Sequence, residues 1–253
     1  MNICESLTVT ARLLPQRVAI EYDGQRFSYE QLNLLSASAA NQLRRAGIVP
    51  GDRVALMLPN TPSFPVWYYA ALRIGAIAVS ISTRLAASEV DFVVSDCQAK
   101  AFVGSQSAFE SVQEALPATL GARIPVDDLT GNPAAGHQPL TADPLGTIDA
   151  SDWYDAEPHE AAVILYTSGT TGFPKGATLS HGNVRSNVCA FNHLCHTQPH
   201  DRVLLTVPLF HCFGQNALLN SVLNVGGTII LQKRFDLNEA RQLIARHQVT
   251  QLY

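Results

Sequence analysis

Four aliphatic hydroxyls, three glycines and a lysine crowd into Tyr166–Gly176, which reads Tyr-Thr-Ser-Gly-Thr-Thr-Gly-Phe-Pro-Lys-Gly. Gly169, Gly172 and Gly176 let the backbone turn through conformations that a side chain forbids, so successive N–H groups can converge on one anion. Thr167, Ser168, Thr170 and Thr171 add neutral donors, and Lys175 adds a mobile positive charge. That inventory suits a polyphosphate. A plain surface turn accounts for the glycines but not for a lysine beside four hydroxyls. Three better-known loops do not fit. Lys175 lies between Pro174 and Gly176, so the Walker pattern fails, and with it an unrelated P-loop phosphotransferase. Gly169 and Gly172 have no third glycine in dinucleotide register, and Ser168 is not the serine of Gly-x-Ser-x-Gly.

A loop of this kind has to be held by regular structure. The apolar run Ala161–Leu165 enters it. An internal repeat organises the rest. Pro50-Gly51-Asp52-Arg53-Val54-Ala55-Leu56 is echoed by Pro199-His200-Asp201-Arg202-Val203-Leu204-Leu205. Each opens a strand ending at a proline, Pro59 or Pro208, followed by a helix-length segment, glycine and another strand. Glu89 and Glu239 then begin helices, with Gln98 and Gln248 nine residues on and strands at Lys100–Val103 and Thr250–Tyr253. Two copies of a strand–helix–strand–helix–strand unit follow, each wound as a mostly parallel layer of an α/β fold. Ahead of them, Val18–Tyr22 and Arg26–Ser28 read as a hairpin about Asp23-Gly24, and Ser28 caps a helix that stops at Gly47. Residues 117–158 are rich in Pro, Gly, Asp and Thr and read as an irregular connection. The expected division is 1–116 (first subdomain, with hairpin and helix), 117–158, and 159–253 (phosphate loop and second subdomain).

With 47% apolar and 15% charged residues, the 253-residue chain suits a packed α/β protein and not a disordered one. A net charge of −4 gives no sequence-wide attraction to nucleic acid or anionic membrane. No apolar run approaches the ~20 residues that span a bilayer. Met1–Val9 carries Glu5 and no basic cluster, and the cysteine count, five, is odd; both fit a cytoplasmic protein with reduced thiols. His193, Cys195, His196 and His200 are dense but match no zinc-finger spacing. Cys212 adjoins His211, yet neighbouring residues point apart and no oxyanion-forming motif accompanies them. No metal ligand is assigned.

The loop resembles that of the adenylate-forming superfamily: acyl-CoA synthetases, aryl-CoA ligases, luciferases and peptide-synthetase adenylation domains. The core Ser-Gly-Thr-Thr-Gly-x-Pro-Lys-Gly is matched at every fixed position from Ser168 to Gly176. Leu179–Asn183 and Pro208-Leu209-Phe210-His211-Cys212-Phe213-Gly214 extend the resemblance; Phe27-Ser28-Tyr29, Gly51-Asp52-Arg53-Val54 and the Asn60 turn carry it weakly over nearly the whole chain. The resemblance implies the two repeated layers of that superfamily's N-terminal domain, incomplete. It also implies an ATP-dependent acid–CoA ligase, forming an acyl-adenylate and then a thioester. Thr167, Ser168, Gly169, Thr170, Thr171, Gly172 and Lys175 would hold the ATP phosphates, with Lys175 and His211 catalytic. His211 and Phe213 would meet a small carboxylic or fatty acid. Taken alone, His211 reads equally as a helix-entry residue among aromatics, and Phe213 as core. Arg234 would bind the nucleotide end of coenzyme A, or remain a solvated strand-end residue. The magnesium ligand, the ribose-binding aspartate and a small C-terminal domain are expected beyond Tyr253, so that the 253 residues form an N-terminal portion with little activity alone. The alternatives are an acyl-AMP ligase that loads a carrier-protein phosphopantetheine, and a nucleotide-binding module without turnover.

Overall fold

A computed structural model of the chain describes residues 2–126, 149–167 and 174–253. Helix α1 (Cys4–Leu13) precedes the hairpin β1 (Val18–Tyr22) and β2 (Gln25–Ser28) and helix α2 (Tyr29–Arg45). The first copy of the repeat is β3 (Arg53–Met57), α3 (Ser63–Arg73), β4 (Ile77–Ser80), α4 (Ala87–Asp96) and β5 (Ala101–Ser105). Helix α5 (Gln106–Val112), β6 (Ala122–Val126), β7 (Ala161–Thr167), β8 (Lys175–Ser180) and α6 (His181–Cys195) follow. The second copy is β9 (Arg202–Leu205), a π-helix (Phe213–Leu219) running into α7 (Asn220–Val225), β10 (Thr228–Leu231), α8 (Leu237–His247) and β11 (Gln251–Leu252).

Local chemistry sets these boundaries. Asp23 and Gly24 take φ of +48° and +75°, the conformation a two-residue hairpin turn demands. The Ser28 hydroxyl accepts the Gln31 N–H at 3.1 Å while the Gln31 side chain accepts the Ser28 N–H at 2.8 Å, a reciprocal cap on α2. Past the helix, Gly47 turns the chain away at φ +81°.

The two copies match in detail. Arg53 donates from Nε to the Cys97 carbonyl at 2.7 Å, and Arg202 donates from Nε to that of His247. Each guanidinium thus satisfies the last turn of the fourth element of its own copy. Beyond that turn the chain passes through a left-handed glutamine, Gln98 (φ +51°) or Gln248 (φ +49°). Strand β3 lies between β4 and β5, and β9 between β10 and β11, all parallel.

Strand pairing does not follow the expected division of the chain. The N-terminal hairpin joins the second copy, Ile20 opposite Ile229, giving the sheet β11-β9-β10-β1-β2. The β7–β8 pair joins the first, Ala78 opposite Val163, giving β6-β5-β3-β4-β7-β8. The reason is common to both. Each parallel unit leaves its second strand, β4 or β10, with an open edge, and an antiparallel pair from elsewhere in the chain covers it. Residues 117–158, read as irregular, contain β6, parallel to β5 with Phe102 opposite Arg123. Residues 127–148 of that stretch lie outside the described residues.

Side chains alternate between two buried faces. Val54, Leu56, Val203, Leu205, Ile229 and Leu231 enter the central core with Trp67, Tyr68 and Tyr69 of α3. Ala55 and Met57 turn outward under Val90, Val93 and Val94 of α4, and Leu204 and Ile230 pack with Ala240 of α8. Period-2 strands apolar on both faces are what helices on both sides of a parallel sheet require.

His181 opens α6 behind a Ser180–Asn183 cap, buried, its Nδ1 accepting the Ile3 N–H at 3.1 Å. Burial lowers its pKa to about 4, and the nearby Glu160 carboxylate offsets only part of this. The unfolded chain takes up this proton near pH 6.5 and the folded chain only near pH 4. Stability is therefore lost as pH falls through that window, by about 3 kcal/mol from this group. Urea unfolding of wild type and His181→Gln between pH 7 and pH 4 is expected to show this share of the acid destabilisation in wild type only.

Candidate functional site

The hydroxyl- and glycine-rich stretch connects an antiparallel pair. Strands β7 and β8 bring Tyr166 opposite Gly176 and Thr167 opposite Lys175, so the last two residues before the loop's core face the first two of the returning strand. A Cβ at Gly176 would lie tightly, 3.0 Å from the Ile164 side chain and 3.2 Å from the Tyr166 ring. The Tyr166 hydroxyl donates to Asp96 at 2.5 Å, tying the strand to the end of α4; burial and that carboxylate push its pKa up. Thr167 and Lys175 are exposed, and no described carboxylate pairs with the lysine. Ser168, Gly169, Thr170, Thr171 and Gly172 fall in 168–173, outside the described residues.

Beyond β8, Gly182 passes so close to residue 158 that a Cβ would sit 2.8 Å from the Pro158 carbonyl oxygen, which instead accepts the Gly182 N–H at 2.8 Å. The Ser-His-Gly-Asn run thus seats α6 on the segment leading into β7.

His211 stands in the turn between β9 and the π-helix. Its N–H donates to the Pro208 carbonyl at 3.0 Å, and its own carbonyl accepts the Gln215 N–H at 3.0 Å. Nδ1 accepts the Phe213 N–H at 3.3 Å, so the neutral ring carries its proton on Nε2. The imidazole is exposed, which removes the reading of His211 as a residue packed among aromatics. Gly214 makes the turn possible, since a Cβ there would lie 2.4 Å from the Pro208 carbonyl oxygen. Phe213 is not core either. It is 37% exposed and meets Phe191 and Tyr253 edge-on at 6.1 and 6.3 Å.

Arg234 lies in a cleft of about 1130 Å³ at the carboxyl ends of strands from both sheets. Asn60, Arg84, Ser105, Phe210 and Lys233 also line it; Lys175 and His211 do not. The structure therefore brings Arg234 beside the neighbour of His211 and leaves Lys175 apart from this cleft. Arg84 and Lys233 were missed in the sequence. Their signal was position: each copy sends a cation out just past its second strand. Of the cysteine–histidine set, His196 ends α6 in a left-handed conformation (φ +50°). Among the described residues no group of three or more His, Cys, Asp or Glu is placed to hold a metal ion. No described helix is long and apolar enough to cross a membrane.

Residues 7–253 match the sequence profile described as AMP-binding enzyme. The chain belongs to this family. It is 33% identical over 245 residues to a feruloyl-CoA synthase of Amycolatopsis sp, covering 96% of this chain and 46% of the relative. It is 34% identical over 244 residues to the long-chain-fatty-acid–CoA ligase FadD13 of Mycobacterium tuberculosis, covering 88% and 43%. The inhibitor-bound N-terminal domain of FACL13 from the same organism superposes with a TM-score of 0.86 at 31% identity, over 98% of this chain and 61% of that one. The chain thus spans less than half the length of these curated AMP-binding relatives, and its two parallel-dominated sheets are those of the family's N-terminal domains.

Proposed function

We propose that the chain is the N-terminal part of an ATP-dependent carboxylic acid–CoA ligase. The observation that carries this reading is the β7–β8 pair, which holds exposed Thr167 and Lys175 across from each other at the mouth of the hydroxyl- and glycine-rich loop. A carboxylate is a poor acyl donor because its leaving group is an oxide; transfer of an adenylyl group to it supplies a better one. Positioning and charge stabilisation dominate such transfers. Lys175 offsets charge on the departing pyrophosphate, and the loop's hydroxyls and amides orient it. His211, protonated on Nε2 and open to solvent, donates to one oxygen of the incoming acid and leaves the other free to attack. Phe213 lines the acyl path, and Arg234, with Arg84 and Lys233 in its cleft, supplies the positive charge that the nucleotide end of coenzyme A needs. Magnesium would supply further charge neutralisation at the phosphates; no cluster among the described residues fits it.

Because the matched relatives are about twice as long, the isolated 253 residues are expected to form little or no thioester. The test is ATP–pyrophosphate exchange by the full-length protein across a panel of carboxylic acids, including hydroxycinnamic and long-chain fatty acids. Acid-dependent exchange is the expected result, followed by thioester formation with free CoA. Transfer only to a carrier protein would reassign the acceptor. Nucleotide binding without exchange for any acid would leave a binding module.

A further inference from the structure

The two copies of the repeat differ in the turn after their first strand. In the first copy every residue from Asn60 to Ala76 is buried. In the second, the equivalent turn opens to solvent at three successive residues, His211, Cys212 and Phe213. A turn exposed on one side has to be held from the other, and the side chain that holds it comes from the first copy. Asn60 follows Pro59 as Leu209 follows Pro208. Buried at 5% exposure, it donates from Nδ2 to the carbonyls of Val207 (3.0 Å) and Gln232 (3.4 Å), and its Oδ1 accepts the Leu209 N–H at 2.7 Å. One amide thus grips the chain on both sides of Pro208. The carbonyl of Pro208 in turn takes the His211 N–H at 3.0 Å and faces the close approach of Gly214. The same amide ties the end of β3 to the ends of β9 and β10, in different sheets.

We infer that Asn60 is a positioning residue for His211, fixing from the first copy the turn that carries the imidazole in the second; the inference rests on the adenylation reading above. An amide is the side chain that fits, because the turn presents both a donor and acceptors. Aspartate keeps the acceptor for Leu209 but loses both donors, and alanine loses all three bonds.

The experiment uses full-length wild type, Asn60→Asp, Asn60→Ala, His211→Ala and the Asn60→Ala/His211→Ala double variant. Hydrogen exchange of the 206–213 segment is expected to accelerate at least about tenfold in Asn60→Ala, and less in Asn60→Asp, while β9 exchanges as before. Displacing a reacting group by an ångström costs about 100-fold. The kcat of pyrophosphate exchange is therefore expected to fall by that order, with KM for ATP unchanged. The double variant should be no slower than His211→Ala alone. Multiplying losses, or unaltered exchange at 206–213 in both Asn60 variants, would overturn the assignment. If wild type exchanges pyrophosphate with no acid, the adenylation reading falls, and the hydrogen-exchange result alone decides whether Asn60 sets the turn.

Discussion

Arg73→Met is expected to destabilise the protein by about 3–5 kcal/mol, seen as a lowered urea midpoint at unchanged slope. Arg73 is fully buried, and no described carboxylate is paired with it. Neutral oxygens solvate its charge instead. One terminal nitrogen donates to the carbonyls of Ala150 (3.0 Å) and Asp152 (2.8 Å). The other reaches Asn33 Oδ1 (2.5 Å), Ser36 Oγ (3.2 Å) and Thr8 Oγ1 (3.3 Å). Two effects oppose each other on substitution. Removing a buried cation recovers its desolvation penalty, which is why apolar replacements of buried ions are often tolerated. Here, however, the acceptors stay behind: Ala150 keeps the Asn33 amide and Asn33 Oδ1 keeps the Thr8 hydroxyl, but the Asp152 carbonyl and the Ser36 and Thr8 oxygens lose a donor, at about 1–3 kcal/mol for each that stays buried. Several such losses outweigh the single gain. Arg73→Lys keeps the charge but not the fork, and is expected to fall between wild type and methionine. Because the guanidinium bonds to the Ala150 and Asp152 carbonyls hold this segment down, the same variant should speed chymotryptic cleavage at Trp153 and Tyr154, on the approach to β7. Wild-type stability in Arg73→Met would show that the acceptors find other donors.

What could be read in the sequence was whatever depends on neighbours along the chain. Asp23-Gly24 specifies a turn of positive φ, Ser28 and Gln31 specify a cap, and the paired Arg53/Arg202 and Gln98/Gln248 specify two copies of one unit. Residue type and spacing alone single out Thr167 and Lys175 as candidates, and the β7–β8 pairing sets the two opposite each other. What could not be read depends on partners far off. The hairpin Val18–Ser28 gives no sign that it closes the edge of a strand more than 200 residues away, opposite Ile229. Strand β6 is obscured by Arg123 and Pro125, both tolerated because it is an edge strand with one neighbour. The π-helix Phe213–Leu219 carries the apolar pattern of an ordinary helix; Gln215, Asn216 and Asn220, all buried, mark it only in retrospect. The grip of Asn60 on Val207 and Leu209 spans nearly 150 residues and leaves no periodic trace.

The repeat also bears on where function resides. A duplicated unit begins with two equivalent turns, and the core needs neither to be open. The first turn carries Thr61, Pro62 and Ser63 and is sealed; the second carries Phe210, His211 and Cys212 and is exposed at the last two. Both copies keep the arginine that closes their fourth element, so the packing need is the same in each. Of the two turns after a first strand, that of the second copy is the exposed one, and that is where chemistry and packing make different demands.

Lys175→Ala is expected to lower kcat/KM for ATP in pyrophosphate exchange by about 10- to 150-fold, the loss of one charged hydrogen bond worth about 1.5–3 kcal/mol. The magnitude follows from where the lysine sits. It is exposed at the first position of β8, opposite Thr167, with no described carboxylate to hold it in the resting protein. Removing it therefore breaks no ion pair among the described residues, and unfolding midpoints should move by less than about 0.5 kcal/mol, as for an ordinary surface substitution. That separation of activity from stability distinguishes a ligand-facing charge from a structural one. Arginine at this position keeps the charge but exchanges a compact ammonium for a planar fork. Lys175→Arg should accordingly recover part of the affinity for ATP and less of kcat. Full activity in Lys175→Ala would mean that the loop's amides and hydroxyls carry the phosphates unaided. A matching fall in stability and activity would assign the lysine to the hairpin itself, and the ligase reading would lose the one cation on which its phosphate chemistry depends.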